Sequence, residues 1–273
     1  MGYVFDFKTA RCYDEWYRNE RHRFIAELED ELLVKLLRPV IGERVLDIGC
    51  GTGRHLEMFL RMGLDVSGLD ASRHMLEFAR KKVGARASLH HGFAEDLPFD
   101  DNSFNIATII TTLEFVEDSR KALEEACRVA KDRVFLGVLN RYSLKCLERR
   151  ITGIFKESIY NRARFFGTWE LTAMVRDILG KTPIQRATVH QLPAVFPGYT
   201  RCIEQCSWVQ KSPFGSYIGM AVTLVPRFRT DNLLMDHVRK PKGAVSGLIS
   251  SGTKVREGVK SNGSTSVRAV RRP

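Results

Sequence analysis

The segment VLDIGCGTGRHLEMF, from Val45 to Phe59, joins three different kinds of sequence. A short apolar run leads into a turn with glycines at alternate positions, Gly49, Gly51 and Gly53, and apolar residues at helical spacing follow. In an open α/β sheet, the turn between the first strand and the first helix lies where ligands bind. Glycine tolerates positive φ and lets a ligand approach the backbone closely. The segment therefore predicts a ligand-binding turn after a buried strand.

The glycine turn differs from the two common phosphate-binding turns. A dinucleotide-binding turn needs Gly or Ala where this chain has Arg54, and no Gly-Lys-Ser/Thr sequence of a P-loop is present here. Asp47, two residues before the first glycine, suits a ligand with a cationic end. Asp70, nineteen residues after Gly51, can accept both hydroxyls of a ribose. A nucleoside that carries an amino acid, S-adenosylmethionine, satisfies these features.

The sequence on both sides of this turn alternates between strand and helix patterns. The predicted strands are Arg44–Ile48, Leu64–Leu69, Ala87–His90, Phe104–Thr112, Arg133–Leu139, Ile184–Val189 and Tyr217–Val225. The predicted helices are one or two within 14–37, Arg54–Met62, one capped by Ser72, Ser119–Lys131, and Thr168–Gly180 with Thr168 as its cap. This alternation predicts an α/β fold with a seven-stranded, mostly parallel, Rossmann-like sheet that has helices on both faces.

Three motifs together resemble a known family. VLDIGCGTG, GLDAS (Gly68–Ser72) and GFAEDLPFDDNSFN (Gly92–Asn105) are similar to the signature of class I S-adenosylmethionine-dependent methyltransferases, in the branch with the type-11 methyltransferase domain. The resemblance covers about residues 27–137, and more loosely 13–180. It implies the methyltransferase fold, S-adenosylmethionine as cofactor and methyl transfer as activity.

The resemblance also implies roles for residues of the first two motifs. Asp47 would hold the amino group of the methionine moiety, directly or through water. Gly49, Gly51 and Gly53 would shape the loop, with the first two against the cofactor. Asp70 would bind the ribose hydroxyls. From the residues alone, Asp47 can instead cap the turn, and Asp70 can instead cap the next helix.

Residues of the second and third motifs would contact the adenine. By the resemblance, Ala71 would touch the ring, and Ala94 and Glu95 would read its edge, largely through the backbone. Members of the family often have Asp where this chain has Phe93, and that acid accepts from the adenine amino group. Either Asp96 substitutes for it, or stacking holds the adenine.

Five further positions are candidates near the reacting atoms. Thr111, at the end of the fourth predicted strand, would lie under the methionine moiety, and Tyr13 and Tyr17 resemble an aromatic lid, although both tyrosines also fit a core stripe. The candidates for a catalytic group are Glu114, His91 and Tyr17. Glu114 is equally compatible with a solvated carboxylate, and His91 with a surface position.

The chain is predicted to have three parts. Residues 1–41 form N-terminal helices and a lid, residues 42–236 form the methyltransferase domain, and residues 237–273 form a disordered basic tail. From Arg227 to the end there are 11 Lys and Arg against 3 Asp and Glu, so this segment carries +8 of the formal net charge of +11. A basic and aromatic insertion at 140–166 covers the active site and favours an anionic or aromatic acceptor, or else is an amphipathic helix with a solvated basic face.

Three functions are compatible with the sequence. The first is methyl transfer to a small molecule, the second is methylation of RNA with phosphate contacts from the tail, and the third is a non-catalytic binding module. The intact glycine turn and Asp70 count against the third, and the near-neutral core counts against the second. After the fourth predicted strand stands Thr111-Thr112-Leu113-Glu114, which lacks the Asn/Asp-Pro-Pro-aromatic tetrad of adenine or glutamine methylation and the cysteine of cytosine methylation.

The six cysteines are scattered in a way that fits reduced thiols better than a disulfide framework. Cys202 and Cys206 have the spacing of half a metal site, but no second pair lies near them in sequence, and no metal is expected. There is no secretory signal and no apolar run of the roughly 18 residues needed for a membrane span. The expected location is cytoplasmic.

Overall fold

The computed structural model describes residues 2–17, 19–143, 146, 163–191 and 197–224. The helices are α1 (Phe7–Trp16), α2 (Glu20–Leu37), α3 (Arg54–Arg61), α4 (Arg73–Val83), α5 (Ser119–Val129), α6 (Thr168–Leu179), α7 (Pro197–Glu204) and α8 (Ser207–Gln210), with a 3-10 turn at Gly84–Arg86. The strands are β1 (Arg44–Ile48), β2 (Asp65–Asp70), β3 (Ala87–His91), β4 (Phe104–Ile110), β5 (Ala130–Leu139), β6 (Ile184–Val189) and β7 (Tyr217–Thr223).

The seven strands form one sheet in the order β3-β2-β1-β4-β5-β7-β6. Neighbouring strands from β3 to β5 are parallel, and β7 runs antiparallel to both β5 and β6. Leu139 at the end of β5 and Val189 at the end of β6 both pair with Tyr217 at the start of β7. The carboxyl ends of the parallel strands and the start of β7 therefore share one edge. The prediction of a seven-stranded, mostly parallel sheet is confirmed.

The central strands are buried on both faces, as their apolar sequences predict. Along β5, Phe135 packs into one cluster and Leu136 into the other, because successive side chains point to opposite faces. Helices α2, α3 and α4 supply the cluster that contains Phe135, and α5 and α6 supply the cluster that contains Leu136. Helix α2 comes so close to β7 that a Cβ on Gly219 would lie 2.8 Å from Leu32.

Two boundaries near the shared edge differ from the sequence prediction. Helix α1 begins at Phe7, well before residue 14, because the Asp6 carboxylate accepts a hydrogen bond from the Thr9 N–H at 2.8 Å and caps the helix. Strand β4 ends at Ile110 because Thr111 has a φ of +50°, which takes the chain out of the sheet. The β-branched run through residue 112 concealed this turn.

The second half of the chain holds three further differences. The predicted cap of α6 is wrong: Gly167 is the N-cap, and Thr168 is the buried first residue of the helix. Helix α5 ends at Val129, so β5 begins at Ala130 and is longer than predicted. Helices α7 and α8, between β6 and β7, were not predicted.

Some predictions fall outside the described residues. These are the domain end near Asp236, the tail at 237–273, and the insertion at 140–166 except for its first residues, Cys146 and its last residues. Within the described ranges, no helix combines the length and the apolar character that a membrane crossing requires.

Candidate active site

The glycine turn between β1 and α3 has the backbone that the sequence predicts. Gly49, Gly51 and Gly53 have φ values of +74°, +53° and +81°, a region that other residues rarely adopt. The Gly49 N–H donates to the Leu69 carbonyl at 2.7 Å, which fixes the turn to the end of β2. A Cβ on Gly53 would lie 3.0 Å from Ala79, so this glycine allows close helix packing. Glycine is required here by conformation and by space.

Asp70 joins this turn to the next one. One carboxylate oxygen accepts from the Gly51 N–H and the other from the Ser72 N–H, both at 2.8 Å. The cap of α4 is Ser72, whose hydroxyl accepts from the Met75 N–H at 3.2 Å. Asp70 is therefore not the helix cap. Burial raises its pKa, and because a carboxylate has about four acceptor sites, each oxygen can still accept a ligand hydroxyl.

Asp47 lies in β1, two residues before the first glycine, and is almost fully buried. Its Oδ1 accepts from the Thr108 hydroxyl at 2.7 Å, whereas its Oδ2 has no hydrogen-bond partner among the described residues. Burial raises the pKa of Asp47 to about 7. A buried carboxylate oxygen with acceptor capacity left fits a cationic donor such as an ammonium group. The turn thus fits the amino-acid end of S-adenosylmethionine.

A cavity of about 510 Å³ covers the shared edge of the sheet. The predicted cofactor-binding residues on its wall are Gly49, Gly51, Asp70, Ala71, Ala94, Glu95 and Thr111. The predicted lid residues Tyr13 and Tyr17 are also on the wall, whereas Asp47 and Gly53 lie behind it. The strand ends thus bring together residues that are up to about a hundred positions apart in the sequence.

At the end of the cavity where adenine is predicted to bind, the wall includes an aromatic ring, and the carboxylate of Asp96 is not part of it. Phe93 lines the cavity with 43% of its surface exposed. Asp96 is exposed, does not line the cavity, and pairs through its backbone with Phe93. Glu95 lines it, and its Oε1 accepts from the Glu117 N–H at 2.9 Å. Of the two alternatives for holding adenine, this arrangement favours stacking over Asp96.

Two of the three catalytic candidates do not reach the cavity. The buried Oε1 of Glu114 accepts from the Leu139 N–H at 2.6 Å, so this carboxylate holds the end of β5. The exposed ring of His91 places its Nε2 3.0 Å from the Ala71 carbonyl oxygen. Neither residue lines the cavity, so the prediction that they face the substrate is corrected.

The third candidate, Tyr17, does line the cavity, as part of the lid. Its hydroxyl lies 2.9 Å from that of Tyr13, and burial raises its pKa. Arg54 stacks over the Tyr17 ring, 4.9 Å from its centroid, and binds both carboxylate oxygens of Asp30 at 2.6 and 2.7 Å. Arg54, the residue that argues against a dinucleotide-binding turn, therefore ties α2 and Tyr17 to the glycine turn.

The N-terminal segment 2–5 closes the cavity from the outside. The Tyr3 N–H donates to the Phe115 carbonyl at 2.9 Å, and the Ser72 hydroxyl donates to the Phe5 carbonyl at 2.6 Å. The Phe5 and Phe115 rings meet edge to face at 5.2 Å. This contact could not be predicted from the sequence, because an isolated run of four residues has no periodicity.

The other end of the cavity, beyond Thr111 from Asp70, is formed by α1, α2 and the strand ends near β7; we call it the acceptor end. Trp16 and His22 stack there at 4.0 Å with their rings nearly parallel. Glu29, His190 and Tyr217 complete its wall. None of these three was a candidate from the sequence, since no motif connects residues that far apart.

The charges on the cavity wall are mainly acidic. Its described lining residues include the carboxylates of Glu29, Asp70 and Glu95, and no Lys or Arg. Elsewhere, Cys202 and Cys206 are exposed free thiols. Across the described ranges, no three His, Cys, Asp or Glu side chains cluster in a way that would hold a metal ion.

Comparison with known proteins agrees with this geometry. Residues 46–136 match the sequence profile of the methyltransferase domain. An uncharacterised protein of Methanocaldococcus jannaschii is 33% identical over 180 residues, which are 64% of this chain and 80% of that protein. A crystal structure from Thermotoga maritima, described as an S-adenosylmethionine-dependent methyltransferase and possible histamine N-methyltransferase, matches with a TM-score of 0.63 and 26% identity, over 80% of this chain and 96% of that one.

Another relative is matched over a smaller part of the chain. The demethylmenaquinone methyltransferase of Clavibacter sepedonicus is 40% identical over 99 residues, which are 36% of this chain. The match spans only 40% of that relative's length. Together with the glycine turn, Asp70 and the sheet order, these matches show that the chain belongs to the class I S-adenosylmethionine-dependent methyltransferases with a type-11 domain, and that S-adenosylmethionine is its cofactor.

Proposed function

We propose that this methyltransferase acts on a small molecule that binds at the acceptor end of the cavity. The observation that carries the proposal is that α1, α2 and segment 2–5 cover the cavity, with α1 and α2 at the acceptor end. A cavity of about 510 Å³ falls in the range of roughly 300–1,000 Å³ typical of small-ligand sites. A polymer such as RNA would need an open, basic groove instead.

The cofactor would be held by the turns after β1 and β2. In this proposal Asp47 accepts from the methionine ammonium directly or through water, and Asp70 accepts from the ribose hydroxyls while it keeps its bonds to Gly51 and Ser72. Phe93 stacks on the adenine, beside the backbone of Ala94. Bound S-adenosylmethionine supplies a methyl group that is already activated by its sulfonium centre. The protein then contributes mainly the placement of the acceptor in line with that methyl group.

The wall of the acceptor end favours an aromatic acceptor that is neutral or cationic. Trp16 and Tyr17 offer ring faces and edges, which bind aromatic rings and cations. Glu29 adds negative charge, and no described lining residue adds a fixed positive one. The prediction of an anionic acceptor was based on the insertion at 140–166, most of which lies outside the described residues. The acidic wall of the cavity disfavours an anion, so of the two predicted kinds of acceptor, anionic and aromatic, we propose the aromatic one. The names of the relatives also point to small molecules, histamine and demethylmenaquinone.

The acceptor class can be tested directly. The full-length protein is incubated with methyl-labelled S-adenosylmethionine and, separately, with the small-molecule filtrate, the RNA and the protein fraction of a cell extract. We expect label in the filtrate and none in the other two fractions. A matched control is the Asp70→Ala variant, which should transfer little label to any fraction. Label in RNA alone would contradict the proposal and favour the RNA methyltransferase.

A further inference from the structure

Glu29 and His190 form a carboxylate–imidazole pair on the wall of the acceptor end. The Nε2 atom of His190 lies 3.2 Å from Oε1 of Glu29. Both side chains are largely buried, with 6% of the His190 side chain and 19% of the Glu29 side chain exposed, and both line the cavity. The two atoms are close but not aligned for a hydrogen bond, so the Nε2 atom keeps its capacity to bond to a ligand.

The backbone holds His190 in place at some cost in strain. Its φ is +65°, a value uncommon for a residue other than glycine. Its N–H donates to the Glu204 carboxylate at 3.0 Å, and its carbonyl accepts from the Ser216 N–H at 3.2 Å and from the Ser216 hydroxyl at 3.0 Å. Three contacts therefore fix the turn after β6, and strain maintained in this way is common at functional sites.

The other titratable groups near the pair are less suited to accept a proton. Burial raises the pKa of Tyr17 and of Tyr217, so both phenols stay protonated near neutral pH. Asp30 is engaged by Arg54. Glu204 behind the pair accepts from two backbone N–H groups, those of His190 and Gln191.

The other carboxylates and the other histidine on the cavity wall are committed elsewhere. Asp70 and Glu95 accept backbone N–H groups at the cofactor end. His22 stacks on Trp16 and places its Nδ1 3.0 Å from the Trp16 carbonyl oxygen. An imidazole next to a carboxylate is the arrangement that most often serves as a general base in enzymes. At the acceptor end, the pair of Glu29 and His190 is the one that fits this role.

We propose that Glu29 and His190 together accept the proton that the acceptor atom loses during methyl transfer. This inference rests on the proposed function. The bond from the acceptor atom to hydrogen breaks and the proton moves to the pair, where it is held as imidazolium beside carboxylate. A bond forms between the acceptor atom and the methyl carbon, and the bond from that carbon to sulfur breaks with its electrons left on sulfur. In this proposal the acceptor atom is a nitrogen or oxygen that carries a proton.

Two variants and one control isolate the pair. Glu29→Gln keeps the size of the side chain, and His190→Gly removes the ring while it relieves the positive φ. Glu31→Gln makes the same chemical change on the exposed side of α2, where Glu31 contacts Arg201 and Gln205. Melting temperature and affinity for S-adenosylhomocysteine should match the wild type in all three, which verifies that the fold and the cofactor end are intact.

The probe acceptors are a phenol, an aromatic amine and a thiophenol, tested at slightly alkaline pH. The thiophenol loses its proton unaided, so it needs no base, whereas the phenol and the amine keep theirs until the transfer step, when the methylated oxygen or nitrogen must release it. We expect Glu29→Gln and His190→Gly to lower kcat for the proton-bearing nitrogen or oxygen probe by about 100-fold or more, the usual contribution of a general base. Transfer to the thiophenol should change little, and added free imidazole should restore His190→Gly.

The nitrogen NMR signals of the His190 ring supply a readout that does not depend on turnover. They are assigned by their absence in His190→Gly, with S-adenosylhomocysteine bound. At a fixed pH, Glu29→Gln should change their chemical shifts, because the Glu29 carboxylate lies 3.2 Å from Nε2, and Glu31→Gln should not. Unmoved signals in Glu29→Gln would overturn the pair.

The remaining outcomes separate this inference from the function on which it rests. Equal losses for the thiophenol and the nitrogen or oxygen probes would mean that the pair only positions the acceptor, and so would a higher KM with unchanged kcat; either result overturns the proposal. A wild-type protein that methylates none of the probes would contradict the proposed function, and the base assignment with it. If both variants transfer methyl groups at the wild-type rate, the base assignment is wrong and the proposed function stands.

Discussion

The two ends of the cavity differ in how the sequence builds them. The cofactor end consists of turns within Asp47–Glu95, where each glycine sets the local backbone conformation and Asp70 ties two such turns together. The acceptor end joins Glu29 on α2 to His190 after β6 and Tyr217 at the start of β7, which are brought together only by the completed sheet. The first end depends on local backbone conformation and the second on tertiary packing. Amino-acid substitutions at the two ends should therefore have different consequences.

The largest effect is expected from Gly49→Ala at the cofactor end. Gly49 has a φ of +74°, and a Cβ there would lie 2.2 Å from the Thr112 hydroxyl oxygen. Conformational strain and overpacking together should lower the free energy of unfolding by about 3 kcal/mol. Urea denaturation measures this change.

The matched control is Gly42→Ala. Gly42 also has positive φ, +86°, but no atom lies within 4 Å of a Cβ placed there. Strain alone should lower the free energy of unfolding by roughly 1–2 kcal/mol. Equal losses for the two variants would show that space is not limiting at Gly49, and that the Thr112 contact adjusts freely.

The next effect is on cofactor affinity. Asp70→Ala removes the proposed acceptor of the ribose hydroxyls and should weaken binding of S-adenosylhomocysteine by about 1.5–3 kcal/mol, the usual worth of a hydrogen bond to a charged group. Calorimetry measures this loss. Asp65→Ala, at the exposed start of the same strand, is the control and should bind normally. Normal binding by Asp70→Ala would mean that the carboxylate serves only to hold the Gly51 and Ser72 N–H groups.

The cofactor end was predictable because its constraints are local. Glycines at positions 49, 51 and 53 indicate positive φ, and a carboxylate that follows an apolar run indicates the end of a strand. The structure has positive φ at all three glycines and a strand end at Asp70. Buried strands such as β4 were predictable from their β-branched residues. Local constraints of this kind produce a sequence pattern that can be recognised within a window of about 11 to 18 residues.

The acceptor end was not predictable for the corresponding reason. Glu29 lies on an amphipathic helix rich in charged residues, and nothing local distinguishes it from Glu27 or Glu31, which contact Arg201. The structural role of Glu114 was equally hidden, because its partner is a backbone N–H on another strand. Long-range contacts of single polar side chains leave no periodicity to detect.

A smaller effect concerns pH and Asp47. Burial raises the pKa of Asp47 to about 7, so without ligand the carboxyl carries a proton below that pH. A bound ammonium group favours the carboxylate, so affinity for S-adenosylhomocysteine should rise up to tenfold per pH unit as the pH approaches about 7 and level off above it. In the free protein the same shift has the opposite sign for folding, since the stability contributed by this group is lost as pH rises through about 7.

The matched variant is Asp47→Asn, which should bind with little dependence on pH in this range. Calorimetry at several pH values between about 6 and 8 compares the two proteins. The Asn side chain still accepts one hydrogen bond from Thr108, so the strand should remain intact. A wild-type affinity that does not change with pH would separate Asp47 from the ammonium group and leave it as a buried structural acid.

The smallest effect is expected from removing residues 237–273, which lie outside the described residues. This segment contains no aromatic residue for base stacking and is strongly basic. If the acceptor is a small molecule, the deletion should leave melting temperature, cofactor affinity and turnover nearly unchanged, because a segment of this composition buries little apolar surface. If the acceptor is RNA, the deletion should flatten the salt dependence of RNA binding, since each neutralised phosphate contributes roughly 0.7–0.9 to the log–log slope. Binding of full-length and shortened protein to RNA at two salt concentrations decides between these cases. Strong, salt-sensitive binding that disappears with the tail, together with methyl incorporation into RNA by the full-length protein alone, would transfer the choice of acceptor from the enclosed end of the cavity to the tail.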